Sequence, residues 1–381
     1  MNFDNSKNII SIISGGTGGH IFPALAILKK LRNYEIIFIT DSRGYRHLKN
    51  DVLFMKLKNV EILKIPTISP FAKGIVSKLK FLYYFIYSFI KLLTFYFNNK
   101  PQIQIGFGGY VSVLPCIVGK MFFKIDYFIH EQNAVMGRAN KVLEHFTSTT
   151  FMPFTKITPN RYLNKRVYSG TPIREEIYSL KTPKINTNRF NILIFGGSLG
   201  SEFFSKELVK SVINLNNKIK KDIFISHQIT TSNLKSVKKK YNQNNILSDI
   251  RDFFPNIEKL YKSTDLLICR AGGSTIAEIL HLKIPCIVFP LTNSLDNHQF
   301  FNSKIIENYK LGWVINENYF NNAHFTKLIE SIILNKKLLK KIKNNFEKFS
   351  TKNNDKTKFQ SSVEIITNVL MTHISTSENK K

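Results

Sequence analysis

The chain has 381 residues, with 55 lysines and arginines against 26 aspartates and glutamates, a formal net charge of +29, and 43% hydrophobic residues. At roughly 150 residues per domain this length favours two or three domains, and the apolar fraction is enough for full cores, which excludes disorder as the main state. Three cysteines, Cys116, Cys269 and Cys286, are too few and too scattered for a disulfide framework or a zinc knuckle.

In chain order, the first strand is expected over residues 8–14, running into GGTGGH at residues 15–20. Only a five-residue apolar run precedes these glycines, shorter than the h-region of a signal peptide, so no export signal is expected, and the few scattered cysteines read as those of a reduced, intracellular chain. A second strand over 35–40 ends at Asp41. Residues 62–125 then carry eight lysines and no acidic residue, and within them lies the most apolar segment, 75–97, read as a helix. Strands follow at 102–107, leading into GFGGY, and at 127–130, leading into HEQN. Past a boundary expected between residues 170 and 190, where Pro172, Pro183 and a polar stretch interrupt the periodicity, further strands fall at 191–195, 222–226, 265–269 and 284–289. Short β-branched runs alternating with amphipathic helical stretches are the pattern of α/β domains with parallel sheets.

The informative feature is a near-repeat. IISIISGGTGGH and NILIFGGSLGS each pass from a buried strand through a double glycine into a helix, and their first glycines, Gly15 and Gly196, lie 181 residues apart. Two similar Rossmann-like halves account for this economically. Glycine at such a turn accepts positive φ and lets backbone amides approach a phosphate, while the following helix N-terminus offers unpaired N–H groups and partial positive charge. One such junction is weak evidence, but the chain has four: GGTGGH, GFGGY, GGSLGS and RAGGST. Ligands of open α/β sheets sit at the carboxyl ends of strands, so these loops are expected to line one cleft. A dinucleotide-binding oxidoreductase fits less well, because Ile21 stands where the third glycine or alanine of the fingerprint belongs, and Asp41 is as easily a helix cap as a ribose-binding acid. No lysine follows either glycine loop in the manner of a P-loop ATPase.

The segment IVSKLKFLYYFIYSFIKLLTFYF is too interrupted for a membrane span. Ser77, Lys80, Tyr84, Ser88, Lys91, Thr94 and Asn98 recur at steps of three and four, giving a narrow polar stripe on a wide apolar surface. Two readings stand: an interfacial membrane element, in which acyl burial and attraction to anionic headgroups add, or a buried core helix with lysines snorkelling out.

GGTGGHIFPALAI, GFGGYVS, HEQNAVMGRAN, SGTPIR, FGGSLGS, RAGGSTIAEI and DNHQFFN occur in order from residue 15 to residue 302. Together they resemble the MurG family, glycosyltransferases that add N-acetylglucosamine to undecaprenyl-pyrophosphoryl-N-acetylmuramyl pentapeptide in peptidoglycan synthesis. The resemblance implies an α/β GT-B fold, with parallel sheets in two Rossmann-like domains facing a central cleft. These would be an acceptor and membrane-facing domain over residues 1–172 and a UDP-sugar domain over 173–354, with a C-terminal helix of about 355–381 crossing back to the first. It also implies residence at the cytoplasmic face of the inner membrane. Its partners would be UDP-N-acetylglucosamine, lipid I and an anionic membrane surface rather than nucleic acid.

Carried onto this sequence, the donor contacts are Thr17, Gly18 and Gly19, Asn133, Arg174, Ser198, Phe254, the run Gly273, Ser274, Thr275, Ile276, Ala277 and Glu278, and Gln299. Phe254 would offer its backbone to the uracil, Glu278 would accept from ribose hydroxyls, and Ser198 would hold the diphosphate with neighbouring amides. Arg174 would place positive charge near the leaving phosphate, and Gln299 and Asn133 would read the sugar. Tyr110 would stack or hydrogen-bond at the acceptor side. His20 is the candidate base, with His130 and Glu131 in reserve. No metal or other cofactor is expected, because helix N-termini and Arg174 would carry the leaving charge. The apolar patch that family members present to the membrane corresponds here to Ile75, Lys78, Leu79, Lys80, Leu82, Phe85 and Lys91. Two departures stand out: Thr171 where asparagine is usual, and His298 in place of one of two adjacent glutamines. A binding module without transferase activity lacks any nucleic-acid signature here, and a soluble UDP-sugar epimerase would not need the lysine-rich apolar segment.

Overall fold

The computed structural model describes residues 8–49, 51, 54–67, 74–154, 165–183, 189–197, 200–353 and 361–379. The chain forms two compact units, Met1–Arg174 with Phe359–Lys381, and Glu175–Lys358.

The first unit is built on a seven-stranded parallel sheet: β1 (Ile9–Ile13), β2 (Glu35–Thr40), β3 (Val60–Lys64), β4 (Ile103–Gly106), β5 (Asp126–His130), β6 (Thr149–Met152) and β7 (Arg166–Tyr168). Its order is β3-β2-β1-β4-β5-β6-β7. The central strands are near-continuous apolar runs such as IISII and EIIFIT, as a sheet covered on both faces requires. Alternation along the strands divides the core. Ile10, Ile12, Ile36, Phe38, Ile103 and Ile105 pack on one face with the helices Gly18–Lys30 and Ser362–Glu378, whereas Ile13, Ile37, Ile39, Tyr127 and Ile129 pack on the other with Leu92, Tyr96, Val111 and Cys116. The C-terminal helix starts on a capping box, Glu364 N donating to Ser361 Oγ at 3.2 Å and Ser361 N to Glu364 Oε2 at 2.7 Å, and buries Ile366, Leu370 and Ile374 in the first unit.

The second unit repeats the plan with six parallel strands: β8 (Phe190–Phe195), β9 (Ile223–Gln228), β10 (Ser248–Arg251), β11 (Leu266–Arg270), β12 (Cys286–Phe289) and β13 (Gly312–Val314), ordered β10-β9-β8-β11-β12-β13. Its core gathers Ile192, Ile194, Phe204, Leu208, Ile225, Ile268 and Phe289. Strands β3, β6, β7, β10 and β13 had no sequence expectation. Four of them are sheet edges, and all five are three to five residues long, too short or too polar to show an apolar run.

The apolar segment forms the helix Ile75–Asn98, and its orientation excludes the buried-core reading. Only Ser88, Leu92 and Tyr96 are buried, all toward its C-terminal half. Ile75, Val76, Leu79, Leu82, Tyr83, Phe85, Ile86 and Ile90 are exposed, from 45% at Phe85 to 78% at Ile75. The expected polar stripe is corrected in part. Ser88 turns inward and donates to Pro66 O at 3.2 Å, and Lys91 Nζ donates to Lys64 O at 2.9 Å, so Lys91 is held against the body while Lys78 and Lys80 stand exposed. A buried polar contact fixes this rotation: Tyr96 Oη donates to Gln104 Oε1 at 3.0 Å. Gln104 reaches it only because residue 119 is glycine, since a Cβ there would fall 1.6 Å from Gln104 Nε2. No helix among the described residues is long and apolar enough to cross a membrane.

Candidate active site

In the first unit the strand order reverses at β1, which pairs with β2 on one side and β4 on the other. The crevice outside the carboxyl ends of strands at such a switch point is where open α/β sheets bind ligands. GGTGGH leaves β1, GFGGY leaves β4 and HEQN leaves β5, so all three converge there.

Gly16, at φ +79°, turns the first loop. Beneath it Asp41, only 4% exposed, accepts from Gly16 N at 3.0 Å and Gly44 N at 2.7 Å through Oδ1, and pairs with Arg43 at 3.2 Å through Oδ2. Burial alone would raise this carboxyl; the two amides and Arg43 outweigh it and hold the group below the ordinary carboxylate range. Asp41 therefore caps the helix Ser42–Lys49 and anchors the loop, which leaves no ribose-binding acid for a dinucleotide reading.

Thr17 is exposed at the start of the helix Gly18–Lys30 and makes no side-chain cap, while Gly18 is buried and Gly19 half-buried behind it. His20, half-buried on the first turn, donates from Nδ1 to Gly15 O at 3.3 Å. A carbonyl accepts only, so this bond fixes the neutral tautomer and makes Nε2 the basic nitrogen. GFGGY closes on it, since a Cβ on Gly108 would lie 3.4 Å from His20 Nε2. Tyr110 begins the next helix, half-buried. Arg174 lies over the Phe22 ring at 4.6 Å, and a Cβ on Gly18 would lie 2.8 Å from the same ring, so Phe22 holds Arg174 beside the first glycine loop.

The reserve bases do not fit their expected role. His130 is fully buried, with Nε2 facing Gly170 O at 3.1 Å and Nδ1 facing Gln132 Nε2 at 3.1 Å. Its carbonyl and amide partners use both ring nitrogens, and burial pushes the imidazole down to about 4. Glu131, 2% exposed, accepts through Oε1 from the backbone of Gln132 and Asn133 and from Asn133 Nδ2, and through Oε2 from Gly137 N and Asn140 Nδ2, at 2.9–3.1 Å. A carboxylate with five donors organises the loop and places Asn133; it is not available to collect a proton. Thr171, in the place of the usual asparagine, is buried, and its Oγ1 has no partner among the described residues.

The second sheet reverses between β8 and β11, and GGSLGS, RAGGST and DNHQ follow β8, β11 and β12. Ser198 lies outside the described residues. Around it the loop is clamped: Gly196 N donates to Gln228 Oε1 at 3.2 Å, and Ser201 Oγ accepts from Arg270 Nη2 at 2.8 Å and Phe204 N at 3.3 Å. Arg270 also pairs with Glu317 and lies over the Phe204 ring at 4.8 Å, so this cation ties two loops together. After RAGG, the helix Gly273–Leu282 starts from Gly272 without a side-chain cap, the condition for amides to meet an anion. Ser274 and Thr275 are half-buried on its first turn, whereas Ile276 and Ala277 are buried and offer a ligand only backbone. Glu278 is 8% exposed and accepts from Tyr261 Oη at 2.8 Å. Phe254 is nearly buried, 5.7 Å from the Arg251 guanidinium. Gln299 accepts from Leu291 N at 3.0 Å through Oε1, which orients its amide group. Just before it, Asp296 and Asn297 both hold left-handed φ of +52°, a strain of the kind that marks functional turns. Among the described residues there is no group of three or more His, Cys, Asp or Glu that could hold a metal ion.

Residues 10–152 match the glycosyltransferase family 28 N-terminal domain, and residues 191–361 match the family's C-terminal domain. A UDP-N-acetylglucosamine--N-acetylmuramyl-(pentapeptide) pyrophosphoryl-undecaprenol N-acetylglucosamine transferase of Rickettsia bellii is 33% identical over 350 residues, covering 89% of this chain and 94% of the relative. The chain belongs to this transferase family. The structure of MurG from Acinetobacter baumannii superposes with a TM-score of 0.69 at 23% identity, over 90% of this chain and 95% of that one. A putative UDP-N-acetylglucosamine 2-epimerase from Listeria monocytogenes superposes at 0.63 with 11% identity over 97% of both chains, a likeness of fold alone. The transferase is thus a two-domain α/β protein of the GT-B kind, and the shared fold does not make it an epimerase.

Sequence reasoning missed the groups that hold the site rather than face it: Phe22 under Arg174, Arg270 on Ser201, Tyr261 on Glu278, and Asn302, whose Nδ2 donates to Ala271 O at 2.9 Å. Three of them, Phe22, Arg270 and Asn302, lie inside recognised motifs. Tyr261 lies in none and becomes a partner only through tertiary pairing.

Proposed function

We propose that this transferase moves N-acetylglucosamine from UDP-N-acetylglucosamine to the 4-hydroxyl of undecaprenyl-pyrophosphoryl-N-acetylmuramyl pentapeptide, lipid I, to give lipid II, with inversion at the anomeric carbon. The observation that carries this reading is one-third identity, spread over nearly nine-tenths of the chain, to a relative named for that transfer. The geometry supports a direct displacement. The acceptor hydroxyl attacks the anomeric carbon as the bond to the diphosphate oxygen breaks; the hydroxyl proton passes to His20 Nε2, and the bonding electrons leave with UDP. Nδ1, held on Gly15 O, keeps Nε2 the accepting nitrogen throughout. The uncapped start of the helix Gly273–Leu282 receives diphosphate charge, Glu278 takes the ribose, Phe254 the uracil, and Gln299 the sugar. On the first unit the candidate substrate contacts are Thr17, Gly18, Gly19, Tyr110, Asn133 and Arg174.

The lipid acceptor is met at a membrane. The exposed face of the helix Ile75–Asn98, with Met121 and Phe122 exposed on the neighbouring helix and joined to it through Phe89, supports peripheral docking at the cytoplasmic face of the inner membrane. Lys78 and Lys80 add attraction for anionic headgroups, and no acid within residues 62–125 opposes it. Incubating the purified chain with UDP-N-acetylglucosamine should release UDP only when the lipid-linked muramyl acceptor is added. Release that ignores the acceptor, or none with it, refutes the reading.

A further inference from the structure

Glu278 sits on the sixth residue of its helix, 8% exposed, where a carboxylate that has given up most of its water needs a donor to stay ionised and in one rotamer. Tyr261 supplies one. Its hydroxyl donates to Glu278 Oε2 at 2.8 Å, and its ring is fully buried, edge-on to Phe195 at 6.4 Å between centroids. Phe195 is the last residue of β8, directly before GGSLGS. Tyr261 thus joins two separate parts of the second unit: its ring packs on the strand residue that precedes the glycine loop, and its hydroxyl holds the carboxylate assigned to the ribose. With the ring held against Phe195, the hydroxyl approaches the carboxylate from one fixed direction.

We propose that Tyr261 is a positioning residue that fixes the Glu278 carboxylate for the ribose hydroxyls, and so sets the preference for a ribonucleoside diphosphate over one lacking those hydroxyls. This rests on the assignment of Glu278 to the ribose. A merely structural tyrosine would, when altered, weaken every ligand of the site alike. A positioning tyrosine alters the ratio between ligands that differ only at the hydroxyls.

The test is calorimetric titration of the full chain with UDP and with 2′,3′-dideoxy-UDP. Tyr261→Phe keeps the ring against Phe195 and removes only the hydroxyl. The UDP to dideoxy-UDP affinity ratio should fall about tenfold, the loss expected of one hydrogen bond to a charged group, while affinity for dideoxy-UDP stays within about twofold. An unchanged ratio in folded Tyr261→Phe overturns the proposal. Should the single variant not fold, the comparison moves to Glu278→Gln with and without Tyr261→Phe, where no buried charge is left uncompensated. There a ratio altered at least about threefold by Tyr261→Phe supports the positioning role, and an identical ratio overturns it. Glu278→Ala separates the two levels. If it leaves the ratio of the parent unchanged, the ribose assignment itself fails; if it collapses the ratio while Tyr261→Phe does not, only the role of Tyr261 fails.

Discussion

At the scale of single residues, the site is a set of groups whose freedom has been removed by neighbours. His20 is the simplest case, because one carbonyl on Nδ1 decides which ring nitrogen carries the hydrogen of the neutral imidazole. His20→Ala should lower kcat by about 10²- to 10⁴-fold while UDP affinity stays within about twofold, since the ring acts in proton transfer and not in holding the donor. Steady-state kinetics beside a UDP titration checks this, and equal turnover clears His20 of the role. Glu278→Ala should weaken UDP binding by about tenfold or more with an unchanged unfolding profile, measured calorimetrically. That the glycine motifs sit on loops at the carboxyl ends of strands was legible in the sequence, because a buried run ending in a double glycine has few other local meanings. What each does was less legible. His130 and Glu131 read as reserve bases in HEQN, yet Gly170 O and Gln132 hold the imidazole while donors from residues 132 to 140 hold the carboxylate, and periodicity does not say which groups the folded loop turns onto them. Asp41, equally ambiguous in the sequence, resolves into a cap once Gly16 and Gly44 are seen on its oxygen.

Among the elements, the helix Ile75–Asn98 inverts the usual rule that a surface helix turns its apolar side inward. Its inward groups include Ser88, Lys91 and Tyr96, each hydrogen-bonded to the body, and its outward groups are isoleucine, leucine, phenylalanine and tyrosine. The stripe was visible in the sequence, but not its direction, because periodicity gives two faces without saying which one the sheet takes. Lys78→Glu with Lys80→Glu should release the chain from anionic vesicles by about 1 kcal/mol per lysine near the surface, with binding that weakens as salt rises. Sedimentation with vesicles measures it; unaffected binding places docking elsewhere. Lys91 is unsuited to this test, since its ammonium is spent on Lys64 O. Gly119→Ala should destabilise the first unit by about 2–4 kcal/mol in denaturant unfolding, because the new methyl displaces Gln104 and strands the Tyr96 hydroxyl. The short edge strands stayed invisible for a different reason: three to five residues with at most one buried side chain carry no period to detect.

Over the whole molecule, the glycine-opened half-repeat foretold two parallel sheets, and both have their order reversed beside the strand that carries the loop. Each unit also contains a fully buried histidine. Burial pushes His130 down to about 4 and His227, beside Tyr241, down to about 3. An unfolded histidine titrates near 6.5, so below that pH the unfolded chain takes up protons the native one refuses, and stability falls as pH drops from 6.5 toward 4. The loss is about 1 kcal/mol per pH unit for each histidine. Thermal unfolding between pH 7 and pH 5 should show it, and His227→Gln should flatten the slope; a pH-independent midpoint contradicts the buried neutral state.

The measurement closest to the centre of this account is transfer itself. The full chain is mixed with radiolabelled UDP-N-acetylglucosamine, anionic vesicles and the lipid-linked muramyl acceptor, and the organic phase is counted. Label should enter the lipid only with acceptor present, and should fall to near background with His20→Ala. Label that stays in the aqueous phase with folded protein, intact donor and acceptor would contradict a glycosyl transfer to lipid.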